Sequence, residues 1–367
     1  MVVANRITLA LLVSGLALVG YAQQKVGKTT SVTTRVNVTY RQSSLSPRVR
    51  DMLVRAFDQK TNKDVVMLVV YTSTSTGEQE QHKLMRSRDG KVHRIWLQPL
   101  SRAGMEMVDD GRQIQTYFKD INTIMVTTSS GDKVTGARRI GLVERNYTID
   151  LEDDFSYLGR DAYRLVAIPR FAEMDQRTMV IDAQTGLFLR LDVGKGKAAK
   201  PRLQVQSLST TEKLNSQSFQ LNKMDAERRQ YAERRNLDMR EARRAMGIRP
   251  VEVDNLPFGF EVLTKEMELE QSKAVVFRFS DGLSNGTLYQ LARLKDEAKV
   301  SSDLLRRDVG KLTFLLQVDA SNRIREQLMD EIVRQATEST QNAVLNPMAG
   351  LLFYLGTPLP QNDVAKI

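Results

Sequence analysis

The chain has 367 residues, 41% of them hydrophobic and 27% charged, with no cysteine and a formal net charge of +10. This is globular composition at a length suited to about two domains. The missing cysteines exclude disulfides, thiolate metal sites and thiolate nucleophiles, and acidic residues interleaved with the basic ones exclude the gathered Lys/Arg face that nucleic acid requires.

Taken in chain order, the first element is an apolar run, Ile7–Val19, behind Arg6. Gly20-Tyr21-Ala22 follows with small residues at the cleavage-site positions, so residues 1–22 read as a secretory signal peptide cut after Ala22. The run is shorter than the ~20 residues of a membrane span. An exported, soluble, periplasmic chain is expected.

Residues 23–212 read as one sheet-rich domain. Ser31–Ser43 is either an edge strand or a lead-in. Ser46 suits an N-cap and Pro47 a first helical position, and Val49, Met52, Leu53 and Phe57 fall at helical spacing. One amphipathic helix ending near Lys60 is predicted. Beyond it the period changes to two. "DVVMLVVYTST", "EQHKLMRSRDGKVHRIWLQ", "MEMVDDGRQIQTYFKD" and "NYTIDLEDDFSYLGRDAYRLVAIP" alternate between turns at Asp89-Gly90, Asp110-Gly111 and Gly159-Arg160-Asp161. "MVIDAQTGLFLRLDV" adds two strands around Asp182–Gly186, and "RLQVQSLST" adds a last one after the basic hairpin tip "GKGKAAKP". The pattern is that of a meandering antiparallel sheet.

Residues 213–248 carry "NKMDAERRQYAERRNLDMREARRAMG", with high helix propensity, little apolar face and opposite charges three and four apart. A charged helical linker is expected. In residues 249–342, "LPFGFEVL", the hairpin "AVVFRFSDGLSNGTLYQLARL" and "GKLTFLLQVD" read as strands. "SNRIREQLMDEIVRQATEST" reads as a helix with Ile324, Leu328, Ile332 and Val333 on one stripe. Together they predict a small α+β domain. Residues 343–367 form an unassigned tail.

No catalytic constellation stands out. His82 and His93 fall on strands without metal-ligand spacing and read as exposed strand histidines. Asp109-Asp110 and Asp153-Asp154 read as solvated turn residues. The expectation is a binding protein, not an enzyme, with no cofactor and no metal. A curved sheet with a helix laid against it can enclose an apolar cavity. Met52, Leu53 and Phe57 on the helix, with Val66, Leu68, Val70, Ile95 and Leu97 on strands, are the candidate lining, or else simply core.

Three segments carry a resemblance. "MVIDAQTGLFLRLDV" resembles the strand–turn–strand signature of lipoprotein-carrier folds. "DGKVHRIWLQP…MEMVDDGRQIQTYF" and "LPFGFEVL…FRFSDGLSNGTLYQL" resemble the two domains of the RseB/MucB family. The resemblance implies a LolA-like half-barrel, a smaller C-terminal domain and a periplasmic regulator of an extracytoplasmic-function sigma factor. Such a regulator binds the extracytoplasmic segment of a membrane anti-sigma factor and shields it from a protease, while its carrier-like domain senses lipid or lipoprotein acyl chains. By the same analogy Phe260, Phe277, Phe279, Leu283 and Tyr289 of the small domain contact the partner, unless they are its core. The charged linker and the apolar extension after Thr337 depart from the family pattern. A carrier of acyl chains or lipoproteins without a signalling role, and a structural envelope protein, are the alternatives.

Overall fold

The computed structural model describes residues 45–58, 61–74, 76–129, 136–230, 235–268, 273–295, 300 and 303–345. The expected signal peptide, the Ser31–Ser43 lead-in and the tail beyond residue 345 lie outside them. Helix α1 (Pro47–Asp58) begins as its sequence predicts, with Ser46 Oγ accepting from the Val49 amide at 3.3 Å. It buries Val49, Met52, Leu53, Ala56 and Phe57 along one side.

A meander follows: β1 (Val65–Thr72), β2 (Gln79–Arg86), β3 (Val92–Gln98), β4 (Glu106–Asp109), β5 (Gln113–Phe118) and β6 (Thr123–Thr128). Helix α2 (Gly136–Asn146) then crosses to the far edge. From there β7 (Tyr147–Tyr157), β8 (Arg160–Pro169), β9 (Arg177–Asp182), β10 (Phe188–Val193) and β11 (Lys200–Ser209) step back until β11 pairs with β1. Two meanders joined at β1–β11 therefore make one open, curved sheet. Asp182 fixes the β9–β10 turn by accepting from the Thr185 amide and hydroxyl, both at 2.7 Å, and from Arg160.

Residues 213–248 are not a continuous helix. Phe219 and Leu221 are buried against Val108, Ile124 and Val126 of the sheet. β12 (Glu227–Gln230) joins β6 in parallel as a twelfth strand, and β13 (Arg235–Asn236) joins the second sheet. Among the described residues of the segment only α3 (Met239–Met246) is α-helical, with a single 3-10 turn at Ser216–Phe219; the Asp238 carboxylate caps α3, accepting from the Arg240 and Glu241 amides at 2.7 and 3.0 Å. Backbone pairing at two sheet edges, with burial of Phe219, Leu221, Ala242 and Met246, overrides the helix propensity of the charged run.

The second sheet orders as β13, β14 (Glu261–Glu268), β15 (Ala274–Ser280), β16 (Asn285–Ala292), β18 (Leu312–Val318) and β17 (Leu305–Val309). Helix α4 (Asn322–Leu345) packs Ile324, Leu328, Met329, Ile332 and Ala336 onto Val275, Phe277, Phe279, Phe314 and Leu316. The molecule is the expected α+β class: a large antiparallel sheet with packed helices and a smaller helix-backed sheet. The two units are in direct contact, so the linking segment does not hold them apart as a rod.

Candidate binding sites

Helices α1 and α2 together roof the sheet over β7–β10. Leu53, Ala56 and Phe57 meet Ile140 and Val143 above Tyr147, Leu165, Ala167, Met179 and Ile181. Phe57 also lies 6.0 Å, centroid to centroid, from Phe188. α2 escaped the sequence reading because its large apolar positions, Ile140, Leu142 and Val143, are few among Arg138, Arg139, Glu144 and Arg145.

Of the eight expected lining residues, Leu53 and Phe57 fall in the roofed cluster and the other six do not. Met52, Leu53 and Phe57 are buried beneath α1, and Leu53 and Phe57 belong to the roofed cluster. Val66, Leu68 and Val70 pair with Met85, Lys83 and Gln81, and Lys83 pairs with Ile95. That register puts Val66, Leu68, Val70 and Ile95 on the face opposite Val65, Met67 and Val69, which pack with Leu189 and Val205. Leu97 is 39% exposed. Alternation in a sheet covered on both sides does not say which face meets a given helix.

The small-domain candidates also fall inside. Phe260, Phe277 and Phe279 lie in the core under α3 and α4, and Tyr289 packs with Ala274, Val276, Leu291 and Leu315 on the other face. Leu283 leaves its own domain altogether and packs with Leu53, Phe57, Ile140 and Val143 of the first. None of the five presents a contact surface to a partner in this conformation.

Leu283 sits at the tip of the β15–β16 hairpin, where the two units meet. Asp281 accepts from the Leu283 and Ser284 amides, at 2.8 and 2.6 Å, and from Tyr147 Oη at 2.7 Å. Asn146 Nδ2 donates to the Gly259 and Asp281 carbonyls, both at 2.9 Å. Arg139 donates through Nε and a terminal nitrogen to the Gly282 carbonyl, at 3.2 and 3.0 Å, with its guanidinium 4.0 Å from the Phe57 ring centroid. Burial pulls the Arg139 pKa down to about 10. Arg177, only 2% exposed, donates to Ser284 Oγ at 2.7 Å and to the Asp319 carbonyl at 2.9 Å.

Two further polar arrangements went unrecognised in the sequence. His82 and His93 are buried, not exposed. His82 lies between Tyr71 and Trp96, with ring centroids 5.0 and 4.9 Å away and planes tilted by 42° and 45°, while Glu80 bridges it to Arg102. Arg94 lies over both the Tyr71 and Trp96 rings, at 5.4 and 5.7 Å. Burial lowers the His82 pKa; the Glu80 bond opposes that fall and Arg94 adds to it. His93 joins the Ser218 carbonyl to Glu106, and Glu106 also pairs with Lys223, so the segment after β11 is clasped to the sheet. Beside the clasp a polar cleft of about 430 Å³ is lined by Lys91, Asp110, Gln115, Phe219, Leu221 and Arg228. Among the described residues no group of three or more His, Asp or Glu side chains is placed to hold a metal. No helix among them is long and apolar enough to cross a membrane.

These features define a class: a two-sheet α+β protein whose larger sheet is roofed by two helices and docked on a smaller, helix-backed sheet. Among solved structures this is the fold of MucB. Its crystal structure aligns with a TM-score of 0.52 at 16% identity, over 78% of this chain and 98% of that one. The Pseudomonas aeruginosa MucA/MucB complex aligns with a TM-score of 0.50 at 16% identity, over 77% and 96% of the respective chains. No family model matches the sequence, and no curated protein matches it.

Proposed function

We propose that this chain is an exported, periplasmic binding protein, not an enzyme, that grips the extracytoplasmic segment of a membrane anti-sigma factor in envelope stress signalling. The observation that carries the reading is the extent of the likeness to MucB. An alignment over 78% of the chain is longer than either sheet with its helices, and a P. aeruginosa protein of this fold has been crystallised with MucA. Binding protects the segment by mass action and steric cover, and any ligand that prefers the unbound chain favours release. The test is the cleavage rate of the extracytoplasmic segment of an anti-sigma factor from the same genome. A stoichiometric amount of the chain is expected to slow its proteolysis several-fold; an unchanged rate contradicts the proposal.

The roofed apolar cluster under α1 and α2 supports a second reading, a carrier of acyl chains or lipoproteins. Lipid extracted from the purified chain, with no protection of the segment, supports the carrier instead.

A further inference from the structure

We infer that the Asp281–Ser284 turn is an intramolecular plug: it fills the recess between α1, α2 and the first sheet, so docking of the two units and closure of that recess are one equilibrium. The inference stands whether or not an anti-sigma factor binds.

Three observations carry it. First, Leu283 is 8% exposed and belongs to a buried apolar cluster whose other members, Leu53, Phe57, Ile140 and Val143 among them, all come from the first unit. Second, the fit is close at the backbone. Gly282 has φ +105°, and a Cβ there would lie 2.7 Å from the Val143 amide nitrogen and 3.1 Å from the Arg139 carbonyl, so the turn touches α2 with no room for a side chain. Third, the turn is built to keep its shape alone. Asp281 is satisfied from within by the Leu283 and Ser284 amides and by Ser284 Oγ at 2.9 Å, and Ser280 Oγ accepts from the Gly282 amide and donates to the Ser284 carbonyl.

What crosses between the units is chiefly polar: Tyr147 to Asp281, Asn146 to two carbonyls, Arg139 to Gly282, and Arg177 to Ser284 and Asp319. Water replaces such bonds when they open, so a hydrogen-bonded seam whose apolar anchors are few, Leu283 into the first unit and Met174 with Phe171 into the second, releases more readily than an apolar one of equal area. Arg139 links the halves of the device, since its guanidinium lies on the Phe57 ring of α1 while it holds the Gly282 carbonyl. An apolar chain entering the recess displaces Leu283, and with it the small sheet.

The test uses the purified full chain, with lauric acid as the probe and amide hydrogen exchange as the readout. Gly282→Ala wedges the turn away from α2. It is expected to raise exchange at 281–284 and along α2 while β8–β10 and β16–β18 stay protected, and to tighten apparent lauric acid binding about tenfold by raising the open population. Tyr147→Phe, which keeps the plug's shape and one fewer bond, is expected to give a smaller change of the same sign, about threefold. Lauric acid added to the unmodified chain is expected to raise exchange at 281–284. Equal lauric acid affinity in all three proteins, absence of binding in both variants, or binding that leaves exchange at 281–284 unchanged overturns the inference. Should Gly282→Ala fail to fold, Tyr147→Phe and the ligand arm decide alone.

Discussion

Arg177 illustrates how a buried cation is tolerated in this molecule. Its burial disfavours the charge, but the nearby Asp319, Tyr147 and Asp281 outweigh that and raise its pKa above the ordinary arginine value. Asp319 is 41% exposed, so water takes over its carboxylate when the arginine is removed. The loss on Arg177→Ala is then set by the Asp319 carbonyl, which loses its arginine donor, and by Ser284 Oγ, which keeps only its bond to Asp281. A destabilisation of about 1–3 kcal/mol in denaturant unfolding is expected, below the 3–5 kcal/mol of a fully buried pair broken on one side. His82 has the opposite logic. Burial lowers its pKa below 6.5, so the folded state binds fewer protons than the unfolded chain wherever the free imidazole titrates. Stability associated with His82 is therefore present above about pH 6.5 and declines as pH falls through the unfolded pKa toward the depressed folded one. Thermal unfolding between pH 7.5 and 5.5 is expected to show a falling Tm, and His82→Gln is expected to flatten that slope. A parallel slope in the variant assigns the effect to other groups.

At the scale of elements, much of the larger sheet was legible. The period-two runs of β1–β3 and the Asp-Gly turns report hydrogen bonds and side-chain alternation that are local in sequence. The segment after β11 was not. Its charges and helix formers are local facts, while the strand pairing of Glu227–Gln230 with Thr123–Val126 depends on an edge a hundred residues away. The hairpin aromatics were left open between contact surface and core for a related reason: β15 is buried on both faces, with Val275, Phe277 and Phe279 on one and Ala274 and Val276 on the other. A continuous apolar run of this kind reads equally as a contact patch or as a central strand. The segment's attachment makes a prediction. Phe219 is buried against Val108, Ile124 and Val126, so Phe219→Ala is expected to lower stability by about 3 kcal/mol. It is also expected to raise amide exchange at Glu227–Gln230 ahead of the rest of the sheet. Protection of β12 that survives the substitution would mean that its edge pairing alone holds it.

For the whole molecule, the arrangement is two cores joined by a polar seam. The roofed cluster of the large sheet admits Leu283 of the small one, and the core of the small sheet admits Met174 of the large one. Each unit thus completes the other's apolar surface in the docked arrangement. Five aromatic and aliphatic residues of the small domain, read in the sequence as partner surface or as core, lie within buried clusters in this conformation. The most direct measurement is a calorimetric titration of the purified chain with the extracytoplasmic segment of an anti-sigma factor from the same genome. Saturable binding at one segment per chain is the predicted result; no heat and no co-elution at concentrations well above those in the envelope would contradict the account.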